Sequence, residues 1–151
     1  MTEIYVDGDA CPVKDEVLRV ADRHQIITHL VSNRWLRGQD SPLIKRIVVG
    51  EGFDAADNWI AEHAGRGDIV VTADIQLAAR CLKSGADVLG PTGKAFTEAN
   101  IGMALAMREL NAQLRDLGEI RGQNATFSKQ DRSNFLQGLD RLIQELRRRQ
   151  G

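Results

Sequence analysis

The chain has little of what marks exported, membrane-spanning or metal-stapled proteins. It holds only two cysteines, Cys11 and Cys81, with no C-x-x-C pair and no His/Cys cluster at zinc spacing. Neither a disulfide framework nor a zinc site is readable from that. The opening residues Met1-Thr2-Glu3-Ile4 lack the basic and apolar regions of a signal peptide, and no apolar run approaches the roughly 18 residues of a membrane span. A cytoplasmic chain with reduced thiols, no membrane contact and no obligate protein partner is the expectation.

A strong charge of one sign is also missing. Twenty basic and 21 acidic side chains leave a net charge of −1, which excludes a uniformly basic nucleic-acid binder. The balance hides a split. Residues 1–100 carry 11 basic and 15 acidic groups, net −4, whereas residues 101–151 carry 9 and 6, net +3. A helical tail with solvated arginines accounts for this. So does a carboxylate-rich site followed by a phosphate-attracting flank.

The composition that remains, 42% hydrophobic and 27% charged, is that of a globular protein. At roughly 100–200 residues per domain, 151 residues make one domain. Residues 1–93 are expected to form an α/β core and residues 94–151 a set of C-terminal helices packed on it.

Short apolar runs alternate with helical periodicity. Ile4-Tyr5-Val6, 26–31, 47–49, 69–71 and Val88-Leu89 read as strands, and about 13–23, 54–64 and 75–83 as helices. This strand–helix alternation predicts an α/β fold with a mainly parallel central sheet in three α/β/α layers. Residues 101–117 and a stretch beginning at Ser128 read as helices separated by a break at 118–124. Ser128 and Asp131 form an imperfect capping box, and Arg147-Arg148-Arg149 suit a helix C-terminus.

The aspartates fall where such a sheet places its sites, beyond the carboxyl ends of strands. Asp7 and Asp9 follow the first strand, Asp74 follows 69–71, and Asp54 and Asp57 share one face of the helix after the third strand. Asp54 fits an N-cap as well as a ligand, and Asp7-Gly8-Asp9 also fits a tight turn. Carboxylates packed together repel unless a cation lies between them. Hard ions such as Mg²⁺ or Mn²⁺ take such oxygen ligands. No histidine lies in these loops; His24, His29 and His63 fall at helix ends and in a strand, where structural roles suffice. Metal-dependent phosphodiester hydrolysis is the chemistry that uses this arrangement. Basic and polar groups at the rim would then hold substrate: Asn33, Arg34 and Arg37 in the 32–42 loop, Arg80 and Lys94. Trp35 in that loop either stacks on RNA or anchors the loop on the core.

Asp7-Gly8-Asp9-Ala10-Cys11-Pro12-Val13, Gln39-Asp40-Ser41-Pro42, Ala56-Asp57-Asn58-Trp59-Ile60 and the run from Gly67 through Thr72-Ala73-Asp74 to Ala78 together resemble the YaiI/YqxD family of uncharacterised bacterial proteins. The likeness extends to Phe127-Ser128-Lys129-Gln130-Asp131-Arg132. That family in turn resembles PIN-like domains, the fold of many metal-dependent RNases and flap nucleases. By that resemblance Asp7, Asp54, Asp57 and Asp74 are metal-binding, with Thr72 shaping the loop or touching substrate and RNA as the nucleic-acid partner. The expected catalytic set is these four with Asp9, and Asp7, Asp57 and Asp74 are the expected ligands of Mg²⁺ or Mn²⁺. The chain has Ala56 and Gln76 where those nucleases have further acids, which thins a second metal site.

Two other functions fit parts of the pattern. A haloacid-dehalogenase-like phosphatase would use Asp7 as nucleophile and Thr72 as phosphate ligand. A non-catalytic RNA-binding or ribosome-associated module would use Arg34, Trp35 and Arg37. Cys11 is expected to be a small packed residue.

Overall fold

The computed structural model describes residues 2–9, 11–38, 40–52, 54–116 and 127–150. Its elements in chain order are β1 (Ile4–Asp7), α1 (Lys14–His24), β2 (Thr28–Ser32), β3 (Ile44–Val48), α2 (Ala55–His63), β4 (Ile69–Val71), α3 (Ile75–Lys83), β5 (Asp87–Leu89), β6 (Ala95–Phe96), α4 (Glu98–Asp116) and α5 (Lys129–Gln150). The break expected at 118–124 lies outside the described residues.

One six-stranded sheet runs β3-β2-β1-β4-β5-β6. All neighbours pair in parallel except β5 and β6. Alternate residues of each strand face opposite layers. Ile4, Val6, Leu30, Ile69, Val71 and Leu89 pack with α1 and with Phe135, Leu139, Ile143 and Leu146 of α5. Tyr5, Val31, Val70 and Val88 pack with α2 and α3 on the other side. Both faces are thus covered, as the uninterrupted Val/Ile strands required. On that second side α4 lies against α3 and brings Ile101 to the cluster. Its Met103, Met107 and Leu110 remain exposed, so only part of the apolar spacing in this helix reflects packing.

The chain builds β1, β2 and β3 in one direction and then returns to add β4 on the far side of β1. The order reverses between β1 and β4. Ligands of open α/β sheets bind beyond the strand ends at that kind of crevice. Register puts Val6 opposite Val71, so Asp7 and Thr72 sit side by side at the carboxyl edge.

Several boundaries differ from the sequence expectation. β3 begins at Ile44, three residues before the apolar run, because an edge strand tolerates polar residues: Lys45 is exposed, and Arg46 bonds the Leu36 carbonyl and Asp40. β2 starts at Thr28 and reaches Ser32. β6 was not anticipated, since two residues carry no period. α4 begins at Glu98 because Thr97 and Asn100 exchange caps, Asn100 Oδ1 accepting from the Thr97 amide and Thr97 Oγ1 from the Asn100 amide. The Ser128–Asp131 box forms in full, with bonds of 3.0 Å each way.

Candidate functional site

All five aspartates singled out in the sequence line one cleft of about 260 Å³. Asp7 closes β1, Asp9 follows in the next turn, Asp54 and Asp57 stand at the start of α2, and Asp74 precedes α3. The cleft opens at the β1/β4 switch point. Asn33, Gly52, Ala56, Gln76 and Arg108 complete its wall.

Each aspartate is held differently. Asp7 is buried, and its Oδ2 accepts a hydrogen bond from Thr72 Oγ1 at 3.1 Å. Burial pushes its carboxyl above the ordinary range. The Thr72 bond opposes this, and the charges of Asp9 and Asp74 add to it. Asp74 is the N-cap of α3: its Oδ1 accepts from the amides of Gln76 and Leu77 at 2.9 and 3.2 Å. Asp57 is half-buried and is pushed up to about 6, first by burial and then by the charges of Asp7, Asp74 and Asp54. A hydrogen bond to the Asp74 carboxyl adds to the shift.

Asp9 ties its loop to the end of β2. Its Oδ1 accepts from Ser32 Oγ at 2.6 Å and its Oδ2 from the Asn33 amide at 3.1 Å. Gly8, between the two acids, is pressed on Leu36, whose Cδ1 would stand 2.6 Å from a Cβ at that position. Asp54 occupies the N-cap position of α2 but makes no side-chain cap bond, so the capping role it was equally suited to is not realised.

The expected substrate groups are scattered. Asn33 lines the cleft, whereas Arg34, Arg37, Arg80 and Lys94 do not. Arg80 donates to Asn58 Oδ1 at 2.9 Å and links α3 to α2. Lys94 lines a different cavity. Thr72 is fully buried, so it positions rather than binds. Its Oγ1 also accepts the Asp74 amide at 2.9 Å and so joins the two strand-end acids. The phosphate-ligand role that the phosphatase reading gives Thr72 fails for the same reason. Trp35 is 64% exposed, with the Arg46 guanidinium 5.7 Å from its ring, and so does not anchor the loop in the core.

Sequence reading missed Arg108. Among the described residues it is the only basic one in the cleft wall. It lies inside an amphipathic helix remote from every strand end, where no local signal distinguishes it from a solvated arginine. Ala56 and Gln76 both line the cleft, Ala56 with its side chain buried against the second cluster.

Among the described residues, no three His, Cys, Asp or Glu side chains stand in an arrangement that holds a metal ion. Among the described residues the cleft's anionic donors are carboxylate oxygens, five acids facing one cation, Arg108. Such a set suits a hard divalent ion by chemistry. Holding one would require the carboxylates to draw together.

The family model described as "Uncharacterized BCR, YaiI/YqxD family" matches residues 5–145. The chain belongs to this family. YaiI/YqxD relatives of close sequence include the UPF0178 protein of Rhizobium etli, 59% identical over 139 residues, covering 92% of this chain and 90% of the relative. The UPF0178 protein of Parvibaculum lavamentivorans is 56% identical over 149 residues, 99% and 98% of the two chains. That of Rhizobium meliloti is 56% identical over 145 residues, 96% and 99%. No solved structure matches the chain. Among the described residues, no helix is long and apolar enough to cross a membrane.

Proposed function

We propose that this YaiI/YqxD chain is a metal-dependent nuclease with a PIN-like domain, hydrolysing phosphodiester bonds in RNA with Mg²⁺ or Mn²⁺. The observation that carries the proposal is the convergence of five carboxylates from separate segments on one cleft at the switch point of the sheet. Asp7, Asp57 and Asp74 are the proposed ligands. Burial first, and then the charges of neighbouring acids, push Asp7 and Asp57 up, and a shared cation would offset both costs. A bound divalent ion would offset the substrate phosphate charge and acidify the attacking water. The chain's own groups do the rest. Thr72 and the α3 N-terminus hold Asp7 and Asp74 in place. Asp9 fixes the loop beside them. Arg108 and Asn33 line the wall, where they would meet a substrate phosphate. A cytoplasmic location belongs to the same reading, where Cys11 and Cys81, both buried and unpaired, stay thiols.

The test is cleavage of end-labelled single-stranded RNA and of a DNA flap in Mn²⁺, Mg²⁺ and EDTA. Cleavage that needs the metal and disappears in Asp74→Asn is expected. No cleavage of either substrate, or cleavage that persists in EDTA and in the variant, would overturn the proposal. A non-catalytic RNA-binding module is the second reading. The exposed Trp35, flanked by exposed Arg34 and Arg37, favours it. Metal-independent RNA binding by wild type without any cleavage is its signature.

A further inference from the structure

A second polar cavity, also of about 260 Å³, lies where the β5–β6 turn crosses α5, and it shares no lining residue with the carboxylate cleft. Two glycines make the crossing possible. Gly93 has φ +90°, and a Cβ there would stand 2.5 Å from the backbone oxygen of Asn134. A Cβ on Gly138 would stand 2.9 Å from the oxygen of Gly93. Turn and helix therefore meet backbone to backbone. The turn is held shut by Gly90 N–H to Lys94 O at 2.8 Å and Gly93 N–H to Gly90 O at 3.0 Å.

The contact brings chosen side chains together. Thr92 and Lys94 come from the turn. Asn134, Gln137 and Arg141 come from one stripe of α5, at spacings of three and four. Among the described residues the wall thus holds two cations, a hydroxyl and two amides, and no carboxylate. Neither Lys94 nor Arg141 has an acidic partner among the described residues. Gln130 Nε2 donates to Asn134 Oδ1 at 2.9 Å, which leaves the Asn134 amide nitrogen as the free end. Donors and positive charge without an acid are what a phosphate needs.

We propose that Thr92, Lys94, Asn134, Gln137 and Arg141 form a subsite for a backbone phosphate of single-stranded nucleic acid whose neighbouring segment lies at the carboxylate cleft. The subsite rests on the nucleic-acid part of the function proposed above. The β5–β6 turn leaves the same sheet edge as Asp7 and Asp74, and β5 is two strands from β1. At about 4.8 Å per strand, that is about 10 Å along the edge. A nucleic-acid strand held at both places would run along this edge, from the α2/α3 side to the α5 side. Contacts of this kind fix register and carry no sequence preference.

The experiment is the salt dependence of binding of a fluorescent oligouridylate, in EDTA and again in Mg²⁺ with Asp74→Asn as the background. Lys94→Gln/Arg141→Gln is expected to weaken binding and to flatten log K against log salt by about 1.4, for two lost phosphate contacts on a single strand. Lys94→Arg/Arg141→Lys is expected to keep the wild-type slope. Both pairs are exposed, and a thermal melt checks their fold. An unchanged slope and affinity in the Gln pair, or no binding by the parent in either buffer, would overturn the subsite. Loss of slope without any metal-dependent cleavage by wild type would leave the subsite standing and remove the nuclease. Metal-dependent cleavage with an unchanged slope would do the reverse.

Discussion

Thr72 Oγ1 donates to Asp7 Oδ2 at 3.1 Å inside the sheet, and the same oxygen accepts the backbone amide that begins at Asp74. One hydroxyl thereby couples the ends of β1 and β4. Thr72→Val keeps the shape and removes both bonds, leaving a buried carboxylate oxygen and an amide unmatched. A loss of roughly 1–3 kcal/mol in urea unfolding is expected, with Thr72→Ser close to wild type. Equal stability of the valine variant would show that the hydroxyl does not hold Asp7.

Asp57 links site charge to pH. Its folded carboxyl is pushed up to about 6 from the ordinary 3.8. The folded chain therefore keeps a proton that the unfolded chain has released between about pH 4 and 6. The stability this contributes is complete below about pH 4 and lost as pH rises through about 6. In EDTA, the melting temperature of wild type relative to Asp57→Asn should fall across that window. A constant difference from pH 4 to 7 would contradict the shift.

Divalent ions should act in the opposite sense at neutral pH. A ligand at about 100 times its Kd stabilises the folded state by about 2.7 kcal/mol. For a chain of 151 residues that is roughly 5–10 °C in melting temperature. Asparagine caps helices as well as aspartate does, so Asp74→Asn should keep the α3 cap and the fold. It should lose the Mn²⁺ response. An equal rise in the variant would place the ion elsewhere.

The cysteines should be inert. Burial pushes both thiols up to about 11. The bond from the Val13 amide and the Lys14 charge do not offset this for Cys11. About one thiol in a thousand is ionised at pH 8. Alkylation by iodoacetamide in native buffer should therefore be far slower than in urea. Rapid native labelling of Cys11 would contradict the raised thiol.

Local chemistry was readable along the chain. The α3 bounds, the apolar strand cores, the Ser128–Asp131 cap and the aspartates at strand ends each depend on residues a few positions apart. Period, capping and turn preference report such short-range terms directly. The shared cleft was inferred from the general behaviour of parallel sheets, and the strand order that realises it comes only from pairing across tens of residues. β4 adds beside β1 rather than beside β3, and the crevice sits there for that reason. Three placements left no local trace, though Thr72 and Lys94 were themselves visible as candidates. Thr72 is hidden between the acids because register sets it level with Asp7. Arg108 reaches the cleft because α4 packs on α3. Lys94 faces α5 because two glycines let distant backbones touch. The sequence by itself determined which acids stand at the strand ends, because alternation and turn chemistry are local. Only the tertiary structure decided which cations face them and which face a second cavity, because that depends on how helices far along the chain pack over the sheet.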